Sequence, residues 1–179
     1  TGQPDPNGQA LRGYRYSRGW ADDQKVSFYA EFSKPFKDFK VIRGDIQIWQ
    51  DEFKDMAAFA HAYFEAEPQE QIMMKVALSP VSMEGAYANM KAELSGWDFE
   101  ATAKAADQAW NQELGKIKVE GKDKEALKIF YTALYHAMIA PSTFCDVDGS
   151  YRGADGQTYE NPGYQTHTTF SLWDTYRAA

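Results

Sequence analysis

The chain has 179 residues, a length that suits one domain or a small arrangement of two parts. Its formal net charge of −7 argues against nucleic-acid binding, which needs clustered Lys and Arg, and no apolar run approaches the roughly 20 residues of a membrane span. Aromatic residues make up 15% of the chain, a share that fits either a well-filled core or a sugar-binding surface.

The ends of the chain and its cysteine say little about its compartment. Residues 1–8 are polar and turn-rich, and they contain no signal peptide. The missing initiator Met fits a processed or excised segment. Cys145 is the single cysteine, which excludes an intramolecular disulfide, and we interpret it as a small buried residue rather than a catalytic thiol.

The first half of the chain is predicted to form strands. β-Branched and aromatic residues, separated by Gly, Asp and Pro, favour strands over 11–17, 26–32 and 41–49. The stretch 56–67 is rich in alanine, but its closing Tyr-Phe pair and the strand-like run that follows favour a hairpin across the turn at 67–70.

After residue 80 the hydrophobic period lengthens, which predicts helices. Ser82, Asp98 and Asp123 can each cap a helix, and Gly96 and Pro141 limit the first and third. The apolar faces, which we interpret as core, are Met83, Ala86, Tyr87, Met90 and Leu94; Phe99, Ala103, Ala106, Trp110 and Leu114; and Leu127, Phe130, Tyr131, Leu134 and Met138. A fourth helix is predicted from Thr168.

A long Gly-, Asp- and Tyr-rich loop runs from residue 142 to 165, and loops of this length are often functional. Asp146 and Asp148 are its candidate site residues, although Asx turns would explain their spacing equally well. An EF-hand is excluded, because Gly149 comes too early and the closing Glu is absent. The histidines show no zinc spacing, and His167 is only a weak candidate.

The tail of the chain carries the residue types of a carbohydrate site. Trp173, Asp174, Tyr176 and Arg177 lie within five residues. An aromatic face suits the apolar side of a sugar ring, and charged groups suit its hydroxyls. We predict that Trp173, Asp174 and Arg177 bind substrate.

An ordered series of motifs resembles glycoside hydrolase family 92, the calcium-dependent exo-acting α-mannosidases. The matching strings are 76–93, Trp97-Asp98-Phe99, Trp110-Asn111, 117–120, 130–136, 146–153 and 171–177. Each string alone is modest evidence for the family, whereas the ordered series is specific to it. Pro80 after the strand and Gly85 in the first helical turn depart from the pattern and are expected to weaken that junction.

The resemblance implies an α+β chain that is part of a longer enzyme. It predicts the end of an antiparallel β-sandwich over 1–80, linker helices over 81–122 and the first helices of an (α/α)6 barrel over 123–179. It also implies release of terminal mannose from glycans with inversion, assisted by calcium, in the periplasm or outside the cell.

The same resemblance places the general acid and base beyond residue 179, so no residue of this chain is assigned as catalytic. Its metal ligands are unknown, and this segment alone is expected to hold no calcium and to be inactive. Uncovered helix faces predict self-association. The alternatives are a non-catalytic carbohydrate-binding or interaction module, or another glycosidase or phosphorylase with the same sandwich-plus-barrel plan.

Overall fold

A computed structural model of the chain describes residues 2–5, 8–19, 21–43, 46–48, 59–160 and 162–169. Its strands are β1 (Gly2–Pro4), β2 (Ala10–Ser17), β3 (Gln24–Phe32), β4 (Asp38–Arg43), β5 (Ile46–Ile48), β6 (Phe59–Tyr63), β7 (Met74–Ser79), β8 (Tyr151–Arg152) and β9 (Thr158–Tyr159). Its helices are α1 (Met83–Glu93), α2 (Phe99–Leu114) and α3 (Lys124–Met138). Antiparallel sheets followed by helices confirm the predicted α+β class.

The larger sheet has four antiparallel strands in the order β1-β2-β3-β7. β2 and β3 form a hairpin, in which Ser17 lies opposite Gln24 beside the turn. β7 pairs with the other side of β3, where Ser27 lies opposite Ser79. Ser79 is therefore the last residue of the sheet before the chain enters α1.

The smaller sheet has the order β5-β4-β6, and its pairing corrects one prediction. β6 pairs with β4, whereas β7 pairs with β3, so the hairpin predicted across 67–70 is wrong. Ser33 N–H donates to Met73 O, and Met73 N–H donates to Ser33 Oγ, both at 2.9 Å. These bonds bring the chain into β7 beside the end of β3. Residues 49 and 56–58 of the predicted strands lie outside the described residues.

Phenylalanine rings connect the two sheets. Phe32 ends β3, Phe39 lies in β4, and their rings are linked through Phe36 and Phe64. Ring centroids in this group are 5.3–6.4 Å apart, within the range of favourable aromatic pairs. These four phenylalanines therefore form one contact between the two sheets.

Helix α1 packs its apolar face against the larger sheet. Ser82 caps it as predicted, because its Oγ accepts a hydrogen bond from Gly85 N–H at 2.9 Å. Ala86 and Met90 are fully buried against Ala10 and Tyr29 of the sheet. The helix ends at Glu93, three residues before the predicted stop at Gly96.

Lys75 of β7 fastens the end of α1 to the sheet. Its Nζ donates to the carbonyl oxygen of Leu94, the C-cap residue, at 3.1 Å. The same Nζ lies 3.0 Å from Glu31 Oε2 and 4.1 Å from the centroid of the Trp97 ring. An ion pair, a helix-end carbonyl and a cation–π contact thus converge on one ammonium group.

Helices α2 and α3 start at the predicted caps. Asp98 Oδ1 accepts from Ala101 N–H at 2.9 Å, and Asp123 Oδ1 accepts from two N–H groups of α3. The two helices meet at Trp110 and Tyr135, whose ring centroids are 4.6 Å apart. No residue of α2 or α3 is buried, so the interpretation of their apolar faces as core is wrong for this chain. Two helices alone do not enclose those faces.

The chain folds into two compact units, each held together by contacts among its own residues. The first comprises Thr1–Trp97 and Cys145–Gln165, and the second comprises Asp98–Phe144 and Thr166–Ala179. Residues 145–165 of the loop after α3 therefore belong to the sheet unit, although they lie within the segment 123–179 that is predicted to open the barrel. Of the helices in the described part of the chain, none has both the length and the hydropathy required to cross a membrane.

Candidate functional site

The three predicted substrate-binding residues, Trp173, Asp174 and Arg177, lie outside the described residues, so their role stays a prediction. The same holds for most of the predicted fourth helix. Just before it, the chain pairs with the segment after α3: Ser142 N–H donates to Thr168 Oγ1 at 2.9 Å, and Thr168 N–H donates to Ser142 O at 2.8 Å. His167 is exposed and lies in a β-bridge with Thr143.

The other two candidates, Asp146 and Asp148, lie in the loop that joins the first unit. Asp146 is only 5% exposed. Its Oδ2 accepts from Ser79 Oγ at 2.7 Å, and its Oδ1 accepts from Asn89 Nδ2 at 2.9 Å. Asn89 Oδ1 in turn accepts from Val147 N–H at 2.9 Å. The carboxylate thereby links the end of β7, helix α1 and the loop.

Gly85 makes room for this carboxylate. A Cβ at this position would lie 2.1 Å from Asp146 Oδ2 and 2.8 Å from Ser79 Oγ, both far inside van der Waals contact. The first turn of α1 also places the positive end of the helix dipole beside the buried charge. The glycine expected to weaken this junction therefore allows it to form.

The hydroxyl of Ser79 completes the junction by accepting two hydrogen bonds and donating one. Its Oγ accepts from Val81 N–H at 2.9 Å and from Ser82 N–H at 3.1 Å. Both lone pairs are thereby used, so the hydroxyl proton is available to Asp146. The turn through Pro80 into α1 is thus closed by one serine side chain.

Asp148 shows the Asx-turn geometry considered as the alternative to binding. Its Oδ1 accepts from Ser150 N–H at 2.8 Å. Gly149, with φ of 85°, donates its N–H to Asp146 O at 2.9 Å. These bonds fold the loop tightly after Asp146, while a contribution of Asp146 and Asp148 to a sugar site stays a prediction.

Three tyrosines cluster at the β8–β9 hairpin that follows: Tyr151 and Tyr159 lie in its strands, and Tyr164 lies five residues after it. Tyr151 and Tyr159 stack at 5.3 Å with an interplanar angle of 18°, and the hydroxyls of Tyr151 and Tyr164 are 3.0 Å apart. Tyr159 donates to Asp155 Oδ2 at 2.7 Å. The bond to Tyr164 raises the pKa of Tyr151 to about 12, and the bond from Tyr159 lowers the pKa of Asp155. Tyr151 and Tyr159 are therefore neutral and Asp155 is charged near pH 7.

Arg152 fastens this hairpin to the rest of the first unit. Its Nη2 lies 2.9 Å from Asp23 Oδ2, in the turn between β2 and β3, and its Nη1 donates to Asp23 O at 3.3 Å. Nε also donates to Gly156 O at 3.3 Å within the hairpin. One guanidinium thus connects the hairpin to Asp23, which lies 129 residues from Arg152 in sequence.

The first unit also contains a cleft of about 360 Å³ between the larger sheet and α1. Charged groups from both sides line it, including Arg12, Glu31, Glu84 and Lys91. Burial, with Asp5 and Glu31 nearby, raises the pKa of Tyr29 in its wall to about 12. The Tyr29 hydroxyl consequently stays protonated throughout the neutral range.

The described residues do not fit a calcium site. They bring together no group of three or more His, Cys, Asp or Glu side chains that could hold a metal ion. Calcium takes six to eight oxygen ligands, whereas the Asp146 carboxylate is hydrogen-bonded to Ser79 and Asn89 and is not grouped with two further side chains of these types among the described residues. No part of the mechanism is therefore assigned to calcium in this chain.

Comparison with known families identifies the class of protein as a glycoside hydrolase. The glycosyl hydrolase family 92 N-terminal domain matches residues 3–79, and the catalytic domain of the same family matches residues 85–179. The two matches leave only the turn into α1 between them. The chain belongs to glycosyl hydrolase family 92.

Solved structures of this family share the fold. The GH92 α-mannosidase BT3965 from Bacteroides thetaiotaomicron is 32% identical, with a TM-score of 0.87 over 99% of this chain and 25% of its own. Its complex with mannoimidazole gives a TM-score of 0.86 over 99% of this chain and 24% of that one, again at 32% identity. The inverting GH92 mannosidase BT2199 from the same organism is 26% identical, with a TM-score of 0.81 over 99% of this chain and 25% of its own.

A curated relative from Arthroderma benhamiae is described as an uncharacterized secreted glycosidase. It is 28% identical over 116 residues, which cover 60% of this chain and 13% of the relative. The chain thus spans about a quarter of the length of the solved mannosidases and a smaller share of this relative.

Sequence reasoning missed the partners of Asp146. Ser79, Gly85 and Asn89 all lie in the motif 76–93, but a motif does not say which distant residue its side chains contact. The available signal was the glycine in the first helical turn. Glycine disfavours helix, so its presence there indicates close approach by another group.

Proposed function

We propose that the complete protein is an exo-α-mannosidase that releases terminal α-linked mannose from glycans with inversion. The observation that carries the proposal is the likeness of nearly the whole chain to BT3965 at 32% identity. Inversion is supported by the likeness to BT2199, which is an inverting mannosidase.

An inverting glycosidase needs two carboxyl groups, roughly 6.5–9.5 Å apart. One protonates the leaving oxygen, while the other removes a proton from the attacking water. We place both beyond residue 179, so this chain on its own is proposed to be inactive. Its three predicted domains, 1–80, 81–122 and 123–179, would then be the sandwich, the linker and the opening of the helical barrel.

The contribution of this chain to the mannose pocket is assigned to its tail. Trp173 would form an apolar wall against the sugar ring. Asp174 would accept hydrogen bonds from neighbouring hydroxyls, and Arg177 would orient that carboxylate. We propose calcium as a cofactor of the complete enzyme, with ligands outside the described residues of this chain.

A secreted relative and the glycan substrate together support a periplasmic or extracellular location. The expected partners are mannose-containing glycans.

The test is an assay of the full-length enzyme on an aryl α-mannoside, an aryl β-mannoside and an aryl α-glucoside. We expect turnover of the α-mannoside only, with the β-anomer of mannose as the first product by NMR. Chelation should lower the rate, and added calcium should restore it. Retention of the α-configuration, or activity on the glucoside alone, would overturn the proposal.

A further inference from the structure

The tyrosine cluster at the β8–β9 hairpin presents aromatic surface to solvent. Tyr164 is 60% exposed and Tyr159 is 43% exposed, yet each hydroxyl has a hydrogen-bond partner. The rings follow one another in space, with Tyr151 between the other two at centroid distances of 5.3 and 6.2 Å. The cluster is an ordered group of rings rather than scattered surface tyrosines.

Two glycines allow the backbone conformation found beside these tyrosines. A Cβ on Gly153 would lie 2.7 Å from Cε2 of Tyr159, so only glycine lets that ring lie against the chain. Gly163, immediately before Tyr164, has a φ of 78°, which L side chains rarely adopt. Arg152 holds the hairpin to Asp23 at 2.9 Å. The ring positions are therefore fixed before any ligand arrives, which reduces the entropy cost of binding.

A charged acceptor, the Asp155 carboxylate, lies beside the rings. Each oxygen of the Asp155 carboxylate accepts one hydrogen bond, Oδ1 from Gln157 N–H at 3.0 Å and Oδ2 from Tyr159 at 2.7 Å. Each carboxylate oxygen keeps a second lone pair for a further donor. Aromatic faces beside a charged acceptor complement a pyranose, which has C–H groups on its faces and hydroxyls around its edge.

We propose that Tyr164, Tyr151, Tyr159 and Asp155 form an accessory glycan-binding site, separate in sequence from the tail residues predicted to bind the terminal mannose. Tyr164 supplies the stacking face, and Asp155 accepts from a sugar hydroxyl. The identity of the ligand, a mannose-containing glycan, rests on the proposed function. The site binds sugar units that the enzyme does not cleave. It therefore strengthens the binding of long substrates and has no effect on the binding of monosaccharide derivatives.

The test uses the full-length enzyme and compares Tyr164→Leu with Tyr164→Phe. Leu keeps apolar bulk without an aromatic face, whereas Phe keeps the face without the hydroxyl bonded to Tyr151. We expect Leu to weaken retention on yeast mannan in affinity electrophoresis by about three- to tenfold, and Phe to change it less than twofold. Tyr16→Leu, at a tyrosine 57% exposed on β2, is the matched control and should leave retention unchanged.

Kinetics separate this site from the catalytic one. Tyr164→Leu should raise KM for mannan and leave kcat/KM for an aryl α-mannoside unchanged. Equal retention of the Leu variant and the wild type, or no retention of the wild type, overturns the proposal. Equal losses on both substrates with a lowered melting temperature also overturn it, because they indicate a packing role. If the aryl mannoside is not hydrolysed but retention follows the predicted order, the proposed function fails and the accessory site stands.

Discussion

Asp146 and Ser79 are 67 residues apart in sequence, yet Asp146 Oδ2 accepts a hydrogen bond of 2.7 Å from Ser79 Oγ. This contact joins the end of the sheet to a loop that follows three helices. Because the carboxylate is almost completely buried, each of its hydrogen bonds replaces a water contact that the unfolded chain would have. Loss of one of these hydrogen bonds should consequently destabilise the first unit.

Gly85→Ala should destabilise the enzyme through steric conflict with Asp146. The new Cβ would lie 2.1 Å from the carboxylate oxygen, so the loop must shift and its hydrogen bonds must lengthen. Overpacking of this kind typically costs about 1–3 kcal/mol. Thermal unfolding of the full-length protein should show a lower melting temperature. Gly96→Ala is the control, because nothing lies within 4 Å of its Cβ; equal melting temperatures for both variants would contradict the prediction.

Asp146→Asn should also destabilise, although it conserves the shape of the side chain. If its oxygen accepts from Asn89 Nδ2, its new NH2 group faces Ser79 Oγ, which already accepts two backbone N–H groups. Two donors then face each other in a buried site, at a cost of about 1–3 kcal/mol. Denaturant unfolding would measure the loss. Asp22→Asn, at an exposed carboxylate, should lie within about 0.5 kcal/mol of the wild type.

The pKa of Asp155 should depend on Tyr159. The hydrogen bond from Tyr159 favours the ionised carboxylate and holds its pKa below the usual value. This bond stabilises the fold above the unfolded pKa, near 3.9, and its contribution is lost as pH falls through the lower folded pKa. In Tyr159→Phe the pKa should rise towards the usual value. A carboxyl-carbon NMR titration with labelled aspartate checks this, and an unchanged midpoint would count against the bond.

The 179-residue chain expressed alone should self-associate through α2 and α3. Phe99 is 71% exposed and Ile129 is 69% exposed, and no residue of these helices is buried. Exposed apolar patches beyond a few hundred Å² promote association. Light scattering after size-exclusion chromatography should show oligomers that Phe99→Glu with Ile129→Lys reduces. Tyr16→Lys, in the sheet unit, should have no effect; a monodisperse wild-type monomer would refute the prediction.

Asp174→Asn in the full-length enzyme should lower kcat/KM on α-mannosides by at least about tenfold. A charge-assisted hydrogen bond to a sugar hydroxyl contributes roughly 1.5–3 kcal/mol, and about 1.4 kcal/mol corresponds to a factor of ten in rate. Steady-state kinetics and thermal unfolding should be measured together, with Asp107→Asn on α2 as the control. Unchanged kinetics with a lowered melting temperature would make Asp174 a helix cap instead.

The sequence by itself determined where the three described helices begin and where strands β2 and β3 lie, whereas the single strand predicted over 41–49 is wrong, because this stretch forms two antiparallel strands, β4 and β5. Three helices begin after Ser82, Asp98 and Asp123, because short polar side chains bond the free N–H groups at a helix start wherever they occur. Strands β2 and β3 follow their β-branched and aromatic residues in the same way. The family could be recognised because its motifs are themselves local strings in a fixed order.

Only the tertiary structure decided which distant segments meet. Composition does not distinguish a hairpin between β6 and β7 from two strands in different sheets. Pairing depends on long-range contacts such as the Phe64 ring against Phe32 of β3 and the hydrogen bond from Ser33 N–H to Met73 O. Likewise, glycine is a poor helix former, and only the position of Asp146 beside Gly85 shows why a glycine is needed there. Apolar faces on α2 and α3 have the period of a core, yet burial requires neighbours that periodicity cannot supply.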